Sequence, residues 1–231
     1  LPVQVQAEGE PPIPGSREAT IRALLALDSR RGVDFRGRAQ IPVAVARLLA
    51  APLEATPDDA QLAASARLFE LREEMVARFT ARLHGPRAEK LATTREGLAQ
   101  ALGLLILDHA TSADGEAIDA LTAVATDGQE TEALLSMIAL ARVCGRASLE
   151  RGQTARDIRR TLTKLAMDGS SLRQASALLA LGVADDRGQS TGQDPALGTR
   201  SFLARRAAEG SPARRTAAAI ALGLTGDQER A

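Results

Sequence analysis

The sequence of 231 residues lacks several residue types from which recognition sites are commonly built. It has no Trp, Tyr or Asn, only four Phe and two His, and one cysteine, Cys144. Aromatic platforms that stack nucleic-acid bases cannot be built in the usual way from so few rings. A lone cysteine excludes an internal disulfide, and the absence of Asn excludes an N-glycosylation site. These absences argue against nucleic-acid binding and leave the redox compartment undecided.

The sequence also lacks an excess of either positive or negative charge. The chain has 29 basic and 29 acidic residues and a pI near 7.0. The balance is local as well, with 13 basic and 12 acidic residues in 1–91 and 16 and 17 in 92–231. No global field therefore favours nucleic acid or an anionic membrane. The longest apolar runs, such as 102–107, are far too short to span a bilayer, so no transmembrane segment is expected.

Origin and compartment are only loosely constrained. Only two basic residues, Lys90 and Lys164, are lysines, and the bias towards Arg and Ala is typical of a GC-rich, bacterial genome. The first residue, Leu1, is not an initiator methionine. A cytoplasmic location and export followed by signal removal therefore both stay open.

The first 91 residues predict a proline-rich arm followed by irregular helices. Residues 1–15 are expected to be extended, and 16–91 are expected to form a helical N-terminal region. Its helices are predicted over 16–29, over 43–51 after a polar loop at 30–38, and from a capping Thr56 to Leu83. The third helix has an apolar stripe at helical spacing, formed by Leu68, Leu71, Met75, Val76, Phe79 and Leu83.

A 41-residue period organises the rest of the chain, residues 92–231. The turn at Asp168 precedes an Ala/Leu-rich run that ends at Gly182, and the turn at Glu209 precedes another that ends at Gly223. One period earlier lies Asp127. Helices are predicted over 94–108, 116–126, 131–143, 154–167, 170–183, 199–208 and 212–224. A constant period of this length predicts an all-α fold, an α–α superhelix of stacked helical hairpins.

Stacking follows from the width of the apolar faces. Each helix has more apolar surface than one hairpin can bury, so neighbouring hairpins must cover it. Alanines such as Ala217–Ala219 and Ala221 allow helices to approach closely. The space between layers is expected to be filled by Leu178, Leu181, Leu222 and Leu224.

These residues resemble the HEAT-repeat family of armadillo-like α-solenoids. The runs 211–227 and 172–182 are similar to the family's second-helix consensus. The resemblance implies an acidic residue in each turn, bonded along the stack to an arginine in the following helix. The acids would be Asp127, Asp168 and Glu209, and the arginines Arg173 and Arg214, whereas Glu132 replaces the arginine in the first copy. The family consists mostly of protein-binding scaffolds, with a few enzymes.

Catalytic or metal chemistry has little support in the sequence. Asp108, His109, Asp114 and Glu116 surround one loop, but their spacing fits no standard zinc or calcium site, which favours a polar interhelical loop. The long connection predicted at 182–198 lacks a phosphate-binding lysine and is either a surface insertion or a functional loop. Cys144 is expected to be a small buried apolar residue. No catalytic residue, cofactor or metal is predicted.

The expected function is that of a non-enzymatic scaffold that binds a protein partner. In this architecture the second helices line the concave face, where guanidinium groups could hold acidic partner segments. The predicted partner-binding residues are Arg142, Arg146 and Arg215. Two alternatives stay open: an enzyme of the bilin-lyase type on the same scaffold, and a structural segment of a larger polypeptide.

Overall fold

Helices account for all the regular structure in the described part of the chain. The computed structural model describes residues 17–28, 30, 32–53, 59–86, 88–106, 111–145, 152–190 and 197–225. Within these ranges no strand forms, which confirms the all-α prediction. The ten helices are α1 (Arg17–Asp28), α2 (Phe35–Leu53), α3 (Asp59–Leu83), α4 (Ala92–Leu105), α5 (Ser112–Asp127), α6 (Glu130–Cys144), α7 (Gln153–Asp168), α8 (Ser171–Ser190), α9 (Leu197–Ala208) and α10 (Pro212–Leu224).

The chain divides into two compact units, Leu1–Leu105 and Ile106–Ala231. The arm at 1–15 and the capping Thr56 lie outside the described residues. In the first unit α4 packs against α2 and α3. The boundary between these units falls after α4, and the division at 91/92 expected from the sequence stays a prediction.

The predicted apolar stripe of α3 forms part of the core of the first unit. Met75, Val76, Phe79 and Leu83 are fully buried and Leu71 is nearly so, whereas Leu68 is half-buried. The stripe is confirmed because helical spacing alone decides which side chains share a face.

The predicted start of α2 is wrong. The helix begins at Phe35, inside the expected loop, because the Asp34 carboxylate accepts a 2.6 Å hydrogen bond from the Gly37 amide and caps the first turn. The helix then continues through Pro42. An interior proline removes one backbone hydrogen bond, and burial of Ile41 and Val43 on either side compensates for that loss.

A buried arginine supports the end of α4. Arg72 on α3 is 0% exposed, and its Nε donates a 2.8 Å hydrogen bond to the carbonyl oxygen of Leu105. The last carbonyls of a helix have no partner within the helix, and a cation also suits the negative end of its dipole. Arg72 therefore joins α3 to α4 by a polar contact that the apolar pattern of α3 does not reveal.

The second unit is built from three helical hairpins. Helix α5 packs against α6, α7 against α8, and α9 against α10, while α8 lies between α6 and α10. The turns repeat at the 41-residue period, with the amides of Gly128 and Gly169 donating to the carbonyl oxygens of Val124 and Leu165. Periodic sequence has thus produced periodic pairing of the second helices.

The long connection predicted at 182–198 is wrong over residues 184–190, beyond the predicted helix end at 183. Helix α8 continues to Ser190, so 182–190 are helical. Sequence rules end helices near glycine, yet Gly182 lies inside α8 where α10 crosses it closely. Glycine is common at helix ends, but here it occurs inside the helix because the crossing needs a small residue.

The leucines predicted to fill the space between layers differ in burial. Leu178 and Leu181 are at most 1% exposed. Leu222 is half-buried. Leu224 is 37% exposed, so the prediction that it fills this space is wrong. It is the last residue of α10, where no described helix covers it.

Leu181→Ala is expected to lower the free energy of unfolding by roughly 2–5 kcal/mol, because it opens a cavity in the core. Leu222→Ala should cost less than about 2 kcal/mol, since Leu222 is only half-buried. Urea titrations followed by far-UV circular dichroism measure both changes. Equal losses at the two sites would contradict the packing described for α8 and α10.

Candidate partner-binding surface

The HEAT resemblance implies contacts between the acids of the turns and arginines along the stack. In the structure Arg173 and Arg214 bind other partners. The Arg173 guanidinium reaches back to the preceding turn, but donates its 2.8 Å hydrogen bond to the carbonyl oxygen of Gly128. Arg214 donates within its own turn, to Ser211 Oγ at 3.3 Å. Among the described residues no ion pair joins these arginines to Asp127, Asp168 or Glu209, whose side chains are exposed. Arg173 therefore links its hairpin to the preceding one through a backbone carbonyl oxygen.

Of the three arginines predicted to bind a partner, the two described ones, Arg142 and Arg215, do not share one face of the repeat. Arg142 lies half-buried on α6, Arg215 is exposed on α10, and Arg146 lies outside the described residues. At 41-residue spacing Arg142 aligns with Val183 of α8 and Arg215 with Gln174. Positions 174 and 183 are about 2.5 helical turns apart, which places them on opposite sides of a helix. The Gln174 amide donates to the carbonyl oxygen of Met167, so its side faces α7.

A row of apolar side chains lies on the other side, the side of Arg142. At 41-residue spacing Ile138, Leu179 and Ile220 occupy one equivalent position on α6, α8 and α10. Ile138 and Leu179 are half-buried, and Ile220 is 51% exposed. We call this surface the apolar band, and it comprises Ile138, Leu172, Leu179, Val183, Ile220 and Leu224.

Helix geometry explains why these positions face solvent together. Leu172, Leu179 and Val183 are separated by seven and four residues, the spacing of one helix face. The neighbouring faces of α8 are covered by α6, α7 and α10, which leaves this face uncovered. Leu172 is 51% exposed as a result. Of the apolar band, only Leu224 is predicted from the sequence to lie in the interior, and no burial is predicted for the other members.

The loop before α5 supports the helix that follows it. Thr111 is the N-cap residue, and its hydroxyl accepts a 3.2 Å hydrogen bond from the amide of Asp114 in the first turn. Asp114 is buried and Glu116 is exposed, while Asp108 and His109 lie outside the described residues. Among the described residues no group of three or more His, Cys, Asp or Glu could hold a metal ion. The Thr111 cap also explains why α5 starts earlier than predicted.

Cys144 confirms its predicted role as a small buried residue. It is 0% exposed and not in a disulfide, and its thiol lies 3.6 Å from the carbonyl oxygen of Ala155. Buried thiols of this kind pack as small apolar groups. Cys144 therefore joins the end of α6 to the beginning of α7.

Comparison with known proteins adds no relative from which a role could be transferred. No protein-family model matches the chain, and no curated protein matches it. Across the helical segments described above, none combines the length and the hydrophobicity needed to cross a membrane.

Proposed function

We propose that this protein is a non-enzymatic helical scaffold of the HEAT-like solenoid type, and that it binds a protein partner through the apolar band. In this proposal the band lies on the concave face of the stacked second helices. The observation that carries it is the repetition of incompletely buried apolar side chains at equivalent positions of three adjacent helices: Ile138 and Leu179 are half-buried and Ile220 is exposed.

Exposure of large apolar side chains supports a binding role. Single exposed leucines are common on protein surfaces, whereas contiguous apolar rows often mark interaction sites. Leu172 and Ile220 are each 51% exposed and Leu224 is 37% exposed. An amphipathic partner helix would place its own apolar face along such a row.

Arg142 gives the band a polar edge. It is aligned with Val183 and Leu224 at 41-residue spacing and lies at the α6 end of the band. A guanidinium group at the rim of an apolar surface selects partners with a nearby carboxylate, through charge-assisted hydrogen bonds. The proposed partner segment is therefore apolar on one face with an acidic residue at its edge.

The test compares partners retained from a lysate of the native organism by the intact chain and by a Leu172→Glu, Ile220→Glu double variant. Both side chains are half exposed, so the variant is expected to keep its far-UV circular dichroism spectrum and its Tm. We expect at least tenfold lower recovery of the partner, because burying two carboxylates against an apolar helix is strongly unfavourable. Quantitative mass spectrometry of the retained proteins measures the loss.

Met167→Glu is the matched control. Met167 is 46% exposed on α7, in the same unit but outside the band. Recovery should be unchanged by this variant and reduced by Arg142→Glu. Loss of the partner with Arg215→Glu alone, or with Met167→Glu, would place the site elsewhere and refute binding through the band.

A further inference from the structure

The charges of the second unit are segregated by sign. Residues 111–145, the first hairpin, contain six acidic residues and one basic residue, whereas residues 197–225, the third, contain five basic residues and one acidic residue. The sign changes between α5 and α7, the first helices of neighbouring hairpins. Helix α5 contains four acids and no base, and α7 contains four bases and two acids. The balanced net charge of the chain therefore conceals a local separation of charge.

An acid and a base lie side by side at equivalent positions of these two helices. Asp119 of α5 and Arg160 of α7 are 41 residues apart, both are exposed, and the two helices are in contact. Lys164 and Met167 follow Arg160 at helical spacing and are also exposed. We call the surface formed by Glu116, Asp119, Arg160, Lys164 and Met167 the charged face. It lies on first helices and is therefore separate from the apolar band, which lies on second helices.

The charges of this face are not neutralised within the described part of the chain. Among the described residues no ion pair involves any of its four charged side chains. On α7, Arg156, Arg160 and Lys164 follow one another at intervals of four residues, the spacing at which like charges repel on a helix surface. A surface that places carboxylates opposite these bases would relieve the repulsion.

Symmetry supplies such a surface. A two-fold axis that runs parallel to the helices, midway between α5 and α7, places α5 of a second copy opposite α7 of the first. Because Asp119 and Arg160 occupy equivalent positions, each Asp119 then lies opposite Arg160 of the other copy, and the pairing occurs twice. Met167 is 46% exposed and adds apolar contact area to the same face. The charged face is therefore complementary to itself.

We propose that the charged face binds a second copy of this chain in a symmetric dimer that contains two Asp119–Arg160 pairs. The presence of both signs on one face favours this partner, because nucleic acids and anionic membranes present charge of one sign. The formal net charge is zero, so two copies do not repel one another at long range. Since the paired side chains are exposed in the single chain, the association is weak and depends on salt.

Sedimentation velocity over a concentration series tests the dimer. For the intact chain in low salt, we expect the sedimentation coefficient to rise with protein concentration up to roughly 1 mM. Salt at roughly 0.5 M should weaken the association roughly tenfold or more, because it screens exposed ion pairs. A sedimentation coefficient that is independent of concentration in low salt would overturn the proposal.

Exchange of the two charges tests the pairing itself. Asp119→Arg and Arg160→Asp should each weaken self-association roughly tenfold or more, because each places like charges opposite one another twice. The double variant Asp119→Arg, Arg160→Asp again has a net charge of zero and should dimerise about as strongly as the intact chain, since opposite charges face each other once more. Self-association that survives both single variants, or that the double variant fails to recover, would overturn the proposed arrangement.

Glu130→Arg and Arg215→Asp are the matched controls. They change the net charge by the same amounts as the single variants, at exposed positions of second helices outside the charged face. Both should retain self-association, and all variants should keep the far-UV circular dichroism spectrum and Tm of the intact chain because every changed side chain is exposed. Equal losses in the controls would make net charge the cause and overturn the proposal. The apolar band is tested by other variants and another readout, so failure of one proposal does not decide the other.

Discussion

Gly97→Leu is expected to destroy the packing of α2 against α4 and to lower the free energy of unfolding of the first unit by on the order of 5 kcal/mol or more. Even a methyl group at this position would overlap the carbonyl oxygen of Ala39 and lie 2.9 Å from its carbonyl carbon. Backbone cannot rotate away as a flexible side chain can, so the two helices must separate. Loss on this scale approaches the whole stability of a small domain.

The measurement is a urea titration by far-UV circular dichroism, with hydrogen exchange to locate the damage. Exchange should accelerate in α2 and α4 first. Gly115→Leu is the matched control, because a methyl group built there meets no atom of the described residues within 4 Å. Replacing an exposed helical glycine should gain about 0.5–1 kcal/mol. A Gly97→Leu protein as stable as this control would refute the close crossing.

Gly182→Leu is expected to separate α10 from α8 and to cost the second unit on the order of 5 kcal/mol or more. Its Cβ would lie 2.6 Å from Ala221 Cα and 2.8 Å from both Ala221 Cβ and the carbonyl oxygen. The larger leucine atoms would extend into the core around Leu178. Thermal and urea unfolding measure the loss, and exchange should rise most in α9 and α10.

The matched variant is Gly223→Leu, one period later in an equivalent sequence context. Because no atom of the described residues lies within 4 Å of its added carbon, its unfolding free energy should change by less than about 1 kcal/mol. Similar effects of the two substitutions would contradict the difference in packing between the two glycines.

Much of the local structure was predictable. The apolar stripe of α3 and the buried Cys144 follow from spacing and residue type, and α6, α7 and α10 begin and end within two residues of expectation. Errors arose where a local rule competed with packing. The predicted helix over 43–51 leaves out Pro42 and the predicted connection begins at Gly182, yet both residues lie inside helices whose neighbours stabilise them.

The candidate site was less predictable than the helices. The prediction that Arg142 and Arg215 share a surface rests on their residue type and their place in second helices. Their positions in the repeat lie on opposite sides of the second helix. The apolar band was hidden because a half-exposed leucine and a buried one look alike in a sequence. Burial of Leu179 depends on a neighbouring helix, which no local pattern encodes.

The sequence by itself determined the helices, the 41-residue period and the apolar side of each helix, because these depend on intrinsic preference and on the 3.6-residue repeat. Tertiary structure alone decided which equivalent positions are covered. Gly182 and Gly223 both follow an Ala-Leu pair, yet an added methyl group meets Ala221 at Gly182 and no described atom within 4 Å at Gly223. The reason is physical: burial requires a second surface, and the position of that surface is a property of the packed helices, not of the residue.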